Sequence, residues 1–246
     1  QDPFTAKLLK KKMKAVKAQE HRFEREKEDM TEMPDAEKAI FVKITPETRI
    51  PNGKIVLDCQ KERLMIEGRL LASPIFLRIT GPEKIGIVGR NGAGKTTLLK
   101  QIAEELLARP DLKAAYMPQD YEELLNLEQN PVDFLSSRGD KEERTTIRTY
   151  LGSMRYTVDE MSHAIRELSG GQKAKLLFLK MSLDGCNVLI LDEPTRNFSP
   201  LSGPVIRQVL KEYPGAIISI SHDRKYLEEV VDTTYELTEQ GLVKRN

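Results

Sequence analysis

The stretch GRNGAGKTT, residues 89–97, decides the fold class of this chain. It follows an apolar run, EKIGIVG at 83–89, and precedes helix-forming residues that end before Pro110. Between a strand and a helix, glycines in this pattern let backbone N–H groups surround phosphates, while the lysine reaches the terminal phosphates and the next hydroxyl binds Mg²⁺. The residues predicted to hold the phosphates of a nucleotide are Gly89, Arg90, Asn91, Gly92, Ala93, Gly94, Lys95, Thr96 and Thr97.

A second chemical signal lies in NVLILDEP, residues 187–194. Its apolar part is typical of a strand buried on both faces of a sheet. Asp192 is placed to hold magnesium directly or through water, and Glu193 can orient or deprotonate an attacking water. An acidic pair after a strand is by itself more often an ordinary turn. In one sheet with the phosphate loop, however, it predicts a hydrolytic centre.

The stretch LSGGQKAK, residues 168–175, places a serine and two glycines directly before good helix formers. This pattern predicts a helix N-terminus that is left bare, with N–H donors and the positive end of the helix dipole facing outward. Such an end binds an anion, and phosphate is the anion that we expect. The residues predicted to contact it are Ser169, Gly170, Gly171 and Gln172.

Two further motifs, YMPQ with Gln119 and SISHDR with His222, complete a set of five in a fixed order. With them, residues 39–246 resemble an ATP-binding cassette. The resemblance implies ATP and Mg²⁺ as cofactors, contact of Gln119 with Mg²⁺ and water, and contact of His222 with the γ-phosphate. The catalytic residues that it implies are Glu193, His222 and Gln119, and the magnesium ligands are Thr96, Gln119 and Asp192.

The same resemblance implies a partner. In cassette proteins, the helix end after LSGG caps the γ-phosphate of a nucleotide held by a different cassette, so that two cassettes sandwich two ATP molecules. This chain carries one phosphate loop and one LSGG, and therefore half of each site. We expect an ATPase that is weak as an isolated half. Its partner would be a missing N-terminal cassette or a second copy of this chain.

The predicted fold class is α/β, as in P-loop NTPases of the cassette type. Strand-like runs come first and then alternate with helices, which favours a mixed or parallel sheet flanked by helices, with an added antiparallel β subdomain. A small helical subdomain is also expected. The predicted strands are AIFVKI, KIVLDC, RLMIEG, PIFLRI, EKIGIVG, KAAYMPQ, NVLILDEP, AIISIS and TTYELTE, and the predicted helices lie at 95–108, after Asn130, at 201–212 and at 223–231.

The N-terminal segment narrows the resemblance. Residues 1–5 resemble a cloning scar, and 6–33 are predicted to form a long linker helix because they lack glycine and proline. The cassette is expected over 34–246. This order, with a short segment between Lys95 and Ser169, resembles the C-terminal half of an ABC-F protein. That class carries two cassettes joined by a helical hairpin and acts on the ribosome, and some members confer antibiotic resistance.

Charge is concentrated in the predicted linker helix, although the formal net charge of the chain is only +1. Phosphate backbones attract such a surface, whereas a charge run without context is more often a solvated helix face. The two interpretations are nearly even, and the resemblance favours the ribosome and its RNA as partner. The clustered residues are Lys7, Lys10, Lys11, Lys12, Lys14 and Lys17.

No apolar stretch reaches membrane-spanning length, and Cys59 and Cys186 are expected to be buried free thiols of a reducing compartment. We therefore expect a cytoplasmic protein with no membrane partner. Two other functions remain open: the ATP-driven subunit of a membrane transporter, and a DNA-repair or chromosome ATPase. The first is disfavoured by the short middle segment, and the second usually inserts a coiled coil there.

The chain departs from the class at two places. After DEPT it reads Arg196-Asn197-Phe198-Ser199, so that Ser199 replaces the aspartate that normally couples the two cassettes. Upstream of the phosphate loop, where an aromatic residue usually stacks on adenine, the chain has IEGRLLAS, which leaves Arg69 or Leu70 to cover the base.

Overall fold

The computed structural model describes residues 49–196, 198 and 203–245, apart from the side chain of Val205. Over these residues the predicted α/β fold is confirmed. Several predictions lie outside the described residues and stay predictions. They concern the scar at 1–5, the linker helix at 6–33 with its lysines, the strand AIFVKI at 39–44, and Ser199.

A six-stranded sheet forms the centre of the fold, in the order β10-β9-β5-β8-β7-β6. Strands β5 to β9 are parallel, and β10 pairs with β9 in the antiparallel direction at one edge. The strands are β5 (Lys84–Val88), β6 (Ala114–Met117), β7 (Val188–Asp192), β8 (Ala216–Ile220), β9 (Thr233–Thr238) and β10 (Gly241–Arg245). Because parallel strands end at one edge, the loops that follow β5, β6, β7 and β8 converge there.

Two antiparallel strand pairs precede the phosphate loop, as predicted. Strand β1 (Ile55–Lys61) pairs with β4 (Ile75–Thr80), and β2 (Leu64–Ile66) pairs with β3 (Arg69–Ala72). The single strand predicted over RLMIEG is wrong at its end, because the chain turns back at Glu67 and Gly68 into β3. Both turn residues take positive φ angles, 47° and 80°, as two-residue hairpin turns require.

Helices pack on both faces of the central sheet. Helix α1 (Lys95–Leu107) packs on one core cluster together with Ile190, and α5 (Gly170–Leu183) packs on the other together with Leu191. All five residues of β7 are buried, as the apolar run predicts. Since side chains alternate along a strand, Asp192 lies on the α1 face, two residues beyond Ile190.

The helical subdomain lies between β6 and α5. The predicted cap of its first helix is confirmed, since the Asn130 side chain accepts from the Asp133 N–H over 2.9 Å. The next two helices, whose N-termini are capped by Asp140 and Thr157, are not among the predicted helices. The remaining helices are α2 (Pro131–Leu135), α3 (Lys141–Ser153), α4 (Val158–Ser162), α6 (Gly203–Glu212) and α7 (Arg224–Glu229).

Candidate functional site

The phosphate loop joins β5 to α1, and glycine is required at two of its positions. Gly89 and Gly94 have φ angles of 147° and 95°, in the left-handed region. A Cβ atom on Gly94 would lie 2.6 Å from Cδ1 of Leu71 on β3, and one on Gly89 would lie 2.8 Å from the Leu237 carbonyl oxygen. The β2–β3 hairpin and β9 therefore leave no room for a side chain at these two positions.

Lys95 is buried at the start of α1, with only 8% of its surface exposed. Its Nζ donates to the carbonyl oxygens of Gly89 and Arg90, over 2.9 and 3.0 Å. Burial lowers the pKa of the Lys95 ammonium, although the charges of Glu193 and Asp192 oppose the shift. Within the described ranges no carboxylate forms an ion pair with it. An anion bound in the loop would supply the missing countercharge.

Thr96 and Asp192 meet beside the loop. The Thr96 hydroxyl donates to Oδ2 of Asp192 over 2.9 Å, and Asp192 is only 3% exposed. Burial raises the pKa of Asp192, and the hydrogen bond from Thr96 is the largest effect that opposes this. The carboxylate is therefore held in a site that disfavours its charge, which a cation would relieve.

This oxygen pair fits magnesium. In the part of the chain that the structure describes, no three His, Cys, Asp or Glu side chains form a group that could hold a metal. Magnesium does not need such a group, because it commonly takes one or two protein oxygens and completes its shell with phosphates and water. Thr96 and Asp192 provide such a partial set next to the phosphate loop.

Glu193 and His222 contact each other at the ends of β7 and β8. The His222 N–H donates to Oε2 of Glu193 over 3.2 Å, and Nε2 of His222 lies 3.6 Å from Oε1. Glu193 has a φ angle of 53°, and its own N–H donates to the Ile220 carbonyl. Burial raises the pKa of Glu193, while the His222 N–H opposes the shift. The pair can hold and deprotonate a water.

A cavity of about 570 Å³ opens next to these groups. Its lining includes Thr96, Asp192 and Gln119, so that all three predicted magnesium ligands face one space. Gln119 follows β6, and Asp192 ends the neighbouring strand β7. Lys100 and Arg196 add positive charge to the wall, and Gly170 at the start of α5 also contributes.

The start of α5 is capped, so the prediction of a bare helix end is wrong for the N–H groups of Ser169 and Gln172. The Ser169 hydroxyl accepts from the Gln172 N–H over 3.3 Å, and Oε1 of Gln172 accepts from the Ser169 N–H over 2.9 Å. This arrangement is a capping box, and the S-x-x-Q spacing within LSGGQ is its sequence signal. By position, the N–H groups of Gly170 and Gly171 have no acceptor within the helix.

The segment after Gln119 contacts the capped first turn of α5, residues 169–173. The Tyr121 hydroxyl donates to the Gly170 carbonyl over 2.6 Å, and Nζ of Lys173 lies 2.6 Å from Oε1 of Glu122. The loop that carries one predicted magnesium ligand is thus fixed to the helix end that is predicted to contact another phosphate. Tyr121 and Glu122 are not among the predicted site residues, since no short motif marks them.

Comparison with known proteins decides the family. A family model described as "ABC transporter" matches residues 73–196, half of the chain. This chain belongs to the ABC transporter family. The match begins just before β4 and ends after Glu193, so it includes the phosphate loop, the capped turn of α5 and the acidic pair.

Two curated relatives are similar to the cassette, and one of them is named as a member of the F family. "ABC transporter F family member 5" of Arabidopsis thaliana is 29% identical over 220 residues, which cover 86% of this chain and 32% of the relative. "Probable ATP-binding protein YheS" of Escherichia coli is 32% identical over 194 residues, or 76% of this chain and 30% of the relative. The cassette thus spans about a third of the length of the curated relatives that it matches.

A solved structure confirms the fold of the cassette. It is described as the dimeric structure of a post-hydrolysis state of the ATP-binding cassette MJ0796 bound to ADP and Pi. The TM-score is 0.63 at 18% identity, and the match covers 78% of this chain and 97% of that one. No helix within the described residues of this cassette is long and apolar enough to cross a membrane.

Proposed function

We propose that this chain is the C-terminal cassette of an ABC-F protein, which binds and hydrolyses ATP and acts on the ribosome. The observation that carries nucleotide binding is the pairing of Thr96 with Asp192 beside a buried lysine that has no carboxylate partner in the described ranges. The charges of Asp192 and Lys95 partly offset each other, yet burial still raises the pKa of Asp192 and lowers the pKa of Lys95. A magnesium–triphosphate complex has complementary charges at the matching places.

Each site residue then has a role in the reaction. The N–H groups of residues 89–97 and the Lys95 ammonium hold the phosphates, while Thr96 and Asp192, with Gln119, hold Mg²⁺. Magnesium neutralises the charge that develops on the phosphates. Glu193 accepts the proton of the attacking water, and the backbone N–H of His222 keeps its carboxylate in place.

The adenine base of the nucleotide and a second cassette are the two remaining partners of the site. Leu70 is 51% exposed on β3, next to Leu71, which packs on the phosphate loop, so Leu70 or Arg69 is positioned to cover the base. The Gly170 and Gly171 N–H groups are donors for the γ-phosphate of a nucleotide on another cassette. That cassette is the N-terminal half of the parent protein or a second copy of this chain. The dimeric arrangement described for MJ0796 supports this choice.

Protein concentration tests the two-cassette proposal. We expect ATP turnover per molecule of the isolated chain to be slow and to rise with protein concentration, because each site is completed by another molecule. Phosphate release is measured across a wide dilution series. Fast turnover that does not change on dilution would contradict the proposal, and would indicate that Gly170 of the same chain completes the cavity.

Ribosome binding is supported by the F-group relatives and by the lysines predicted in the linker. The test uses the full-length parent protein with Glu193→Gln, which should trap the ATP-bound form. We expect it to co-sediment with ribosomes in ATP and to be released in ADP or high salt. Recovery with membranes or with DNA would instead support a transporter or a repair ATPase. A ribosomal role would place the protein in the cytoplasm.

A further inference from the structure

Tyr116 lies on β6, at the strand edge where the site assembles. It pairs with Ile190 of β7, so Asp192 lies two residues farther along the neighbouring strand. Tyr116 packs against the core cluster that contains α1, which is the face that Asp192 also shares. An aromatic side chain can reach across such a diagonal pair of positions. Tyr116 and Asp192 both line the cavity.

The hydroxyl of Tyr116 is buried and has no hydrogen-bond partner within the described part of the chain. Burial raises the pKa of the Tyr116 hydroxyl to about 12, and the charges of Asp192 and Glu123 add to the shift. A buried hydroxyl without a partner is unfavourable, and such groups are rare in folded proteins unless a water or ligand completes them. The hydroxyls of Ser182 and Tyr226 share this property, but neither lines the cavity.

We propose that the Tyr116 hydroxyl binds a water molecule of the magnesium hydration shell and thereby helps Thr96 and Asp192 to hold the metal. The inference rests on the proposed binding of Mg²⁺ and ATP. A protonated phenol is a poor direct ligand for magnesium, whereas a metal-bound water is a strong donor to its oxygen. Tyr116 is therefore a positioning residue, which acts on the metal through that water.

The substitution Tyr116→Phe tests the inference, because it removes the oxygen and leaves the ring in the core. Binding of a fluorescent ATP analogue to the whole chain is measured while Mg²⁺ is titrated. We expect half-maximal binding to require about three- to tenfold more Mg²⁺, the loss of roughly one hydrogen bond. Binding of the analogue without Mg²⁺ should be unchanged. An unchanged Mg²⁺ requirement, or equal weakening with and without Mg²⁺, would overturn the inference.

A matched control is Tyr213→Phe, since the Tyr213 hydroxyl donates to the Cys186 carbonyl over 2.8 Å. Tyr213 does not line the cavity. We expect this control to lower the melting temperature of the nucleotide-free chain and to leave the Mg²⁺ requirement unchanged. Tyr116→Phe should leave that melting temperature unchanged or raise it. A decrease as large as that of the control would mean that the Tyr116 hydroxyl has a protein partner, and would overturn the inference. Failure of the unsubstituted chain to bind Mg²⁺–ATP would overturn the proposed function, and the inference with it.

Discussion

Lys95 and Lys173 are buried to nearly the same degree, 8% and 7% exposed, and each lies in the first turn of a helix. Lys173, in α5, forms an ion pair with Glu122 at 2.6 Å. Lys95, in α1, donates to two backbone carbonyls, and burial lowers its pKa. Lys173 thus stabilises the fold through an ion pair, whereas Lys95, at the same burial, has no carboxylate partner in the described part of the chain.

The difference extends to the surroundings of the two lysines. At the phosphate loop, the carboxylate of Asp192 has a raised pKa because it is buried, and Glu193 has a left-handed backbone. At the start of α5, Ser169 and Gln172 satisfy each other in a capping box. The phosphate loop is therefore the end whose buried charges gain most from a ligand, whereas the α5 end is held by its cap and offers the N–H groups of Gly170 and Gly171.

The largest expected effect is on turnover. Glu193→Gln removes the proposed general base and should reduce ATP hydrolysis by about 100- to 10,000-fold, while ATP binding is retained. Phosphate release and binding of a fluorescent ATP analogue measure the two quantities. A variant that still hydrolyses ATP within a few-fold of the parent rate would remove Glu193 from the mechanism.

The pH profile provides the control for this variant. Glu193 acts as a base only when it is deprotonated, and burial raises its pKa above the ordinary value of 4.5. As the pH is lowered, ATP turnover of the unsubstituted chain should therefore decrease with a midpoint above pH 4.5. The residual turnover of Glu193→Gln should not show this decrease. A midpoint at or below pH 4.5 would contradict the raised pKa.

A pair of isosteric variants tests the comparison of the two lysines directly. Lys95→Met should weaken Mg²⁺–ATP binding by about 10- to 100-fold, because it removes a charge-assisted contact to phosphate, and it should not lower the melting temperature. Lys173→Met should have the opposite profile: a loss of about 1 kcal/mol in the free energy of unfolding, with nearly unchanged affinity. Equal destabilisation by both variants would show that Lys95 also supports the fold.

The smallest effect is expected at the capped turn. Ser169→Ala removes the N-cap of α5 and should decrease the free energy of unfolding by about 1 kcal/mol, or the melting temperature by about 2–4 °C. Thermal unfolding of the nucleotide-free chain measures this, with Ser162→Ala, at the exposed C-terminal end of α4, as a control. A Ser169→Ala variant as stable as the parent would mean that the turn is not held by its cap.

Much of the fold and the site could be predicted because local chemistry marks them. Glycines with positive φ, an apolar strand ending in Asp192, and the cap at Asn130 are all properties of short segments. The capping box of Ser169 and Gln172 is equally local, but the same residues also match an anion-binding helix end, which is the structure that was predicted. In contrast, β3 depended on a tight turn at Glu67 that is easily read as a continuing strand.

Contacts between distant segments could not be predicted in this way. The ion pair of Lys173 with Glu122 and the hydrogen bond from Tyr121 to Gly170 depend on how the helical subdomain folds back. Tyr116 looks like one more apolar residue of a strand, and its unpartnered hydroxyl is visible only once β6 and β7 are paired.

The backbone of Glu193 has a consequence for any attempt to engineer this protein. A residue with a side chain is held at a φ of 53° at a cost of roughly 1 kcal/mol, and glycine or asparagine adopts that conformation more readily. Directed evolution for heat resistance alone would therefore tend to replace this glutamate. A screen for thermostable variants therefore needs a parallel assay of phosphate release, because a substitution that stabilises the backbone at this position also removes the proposed general base.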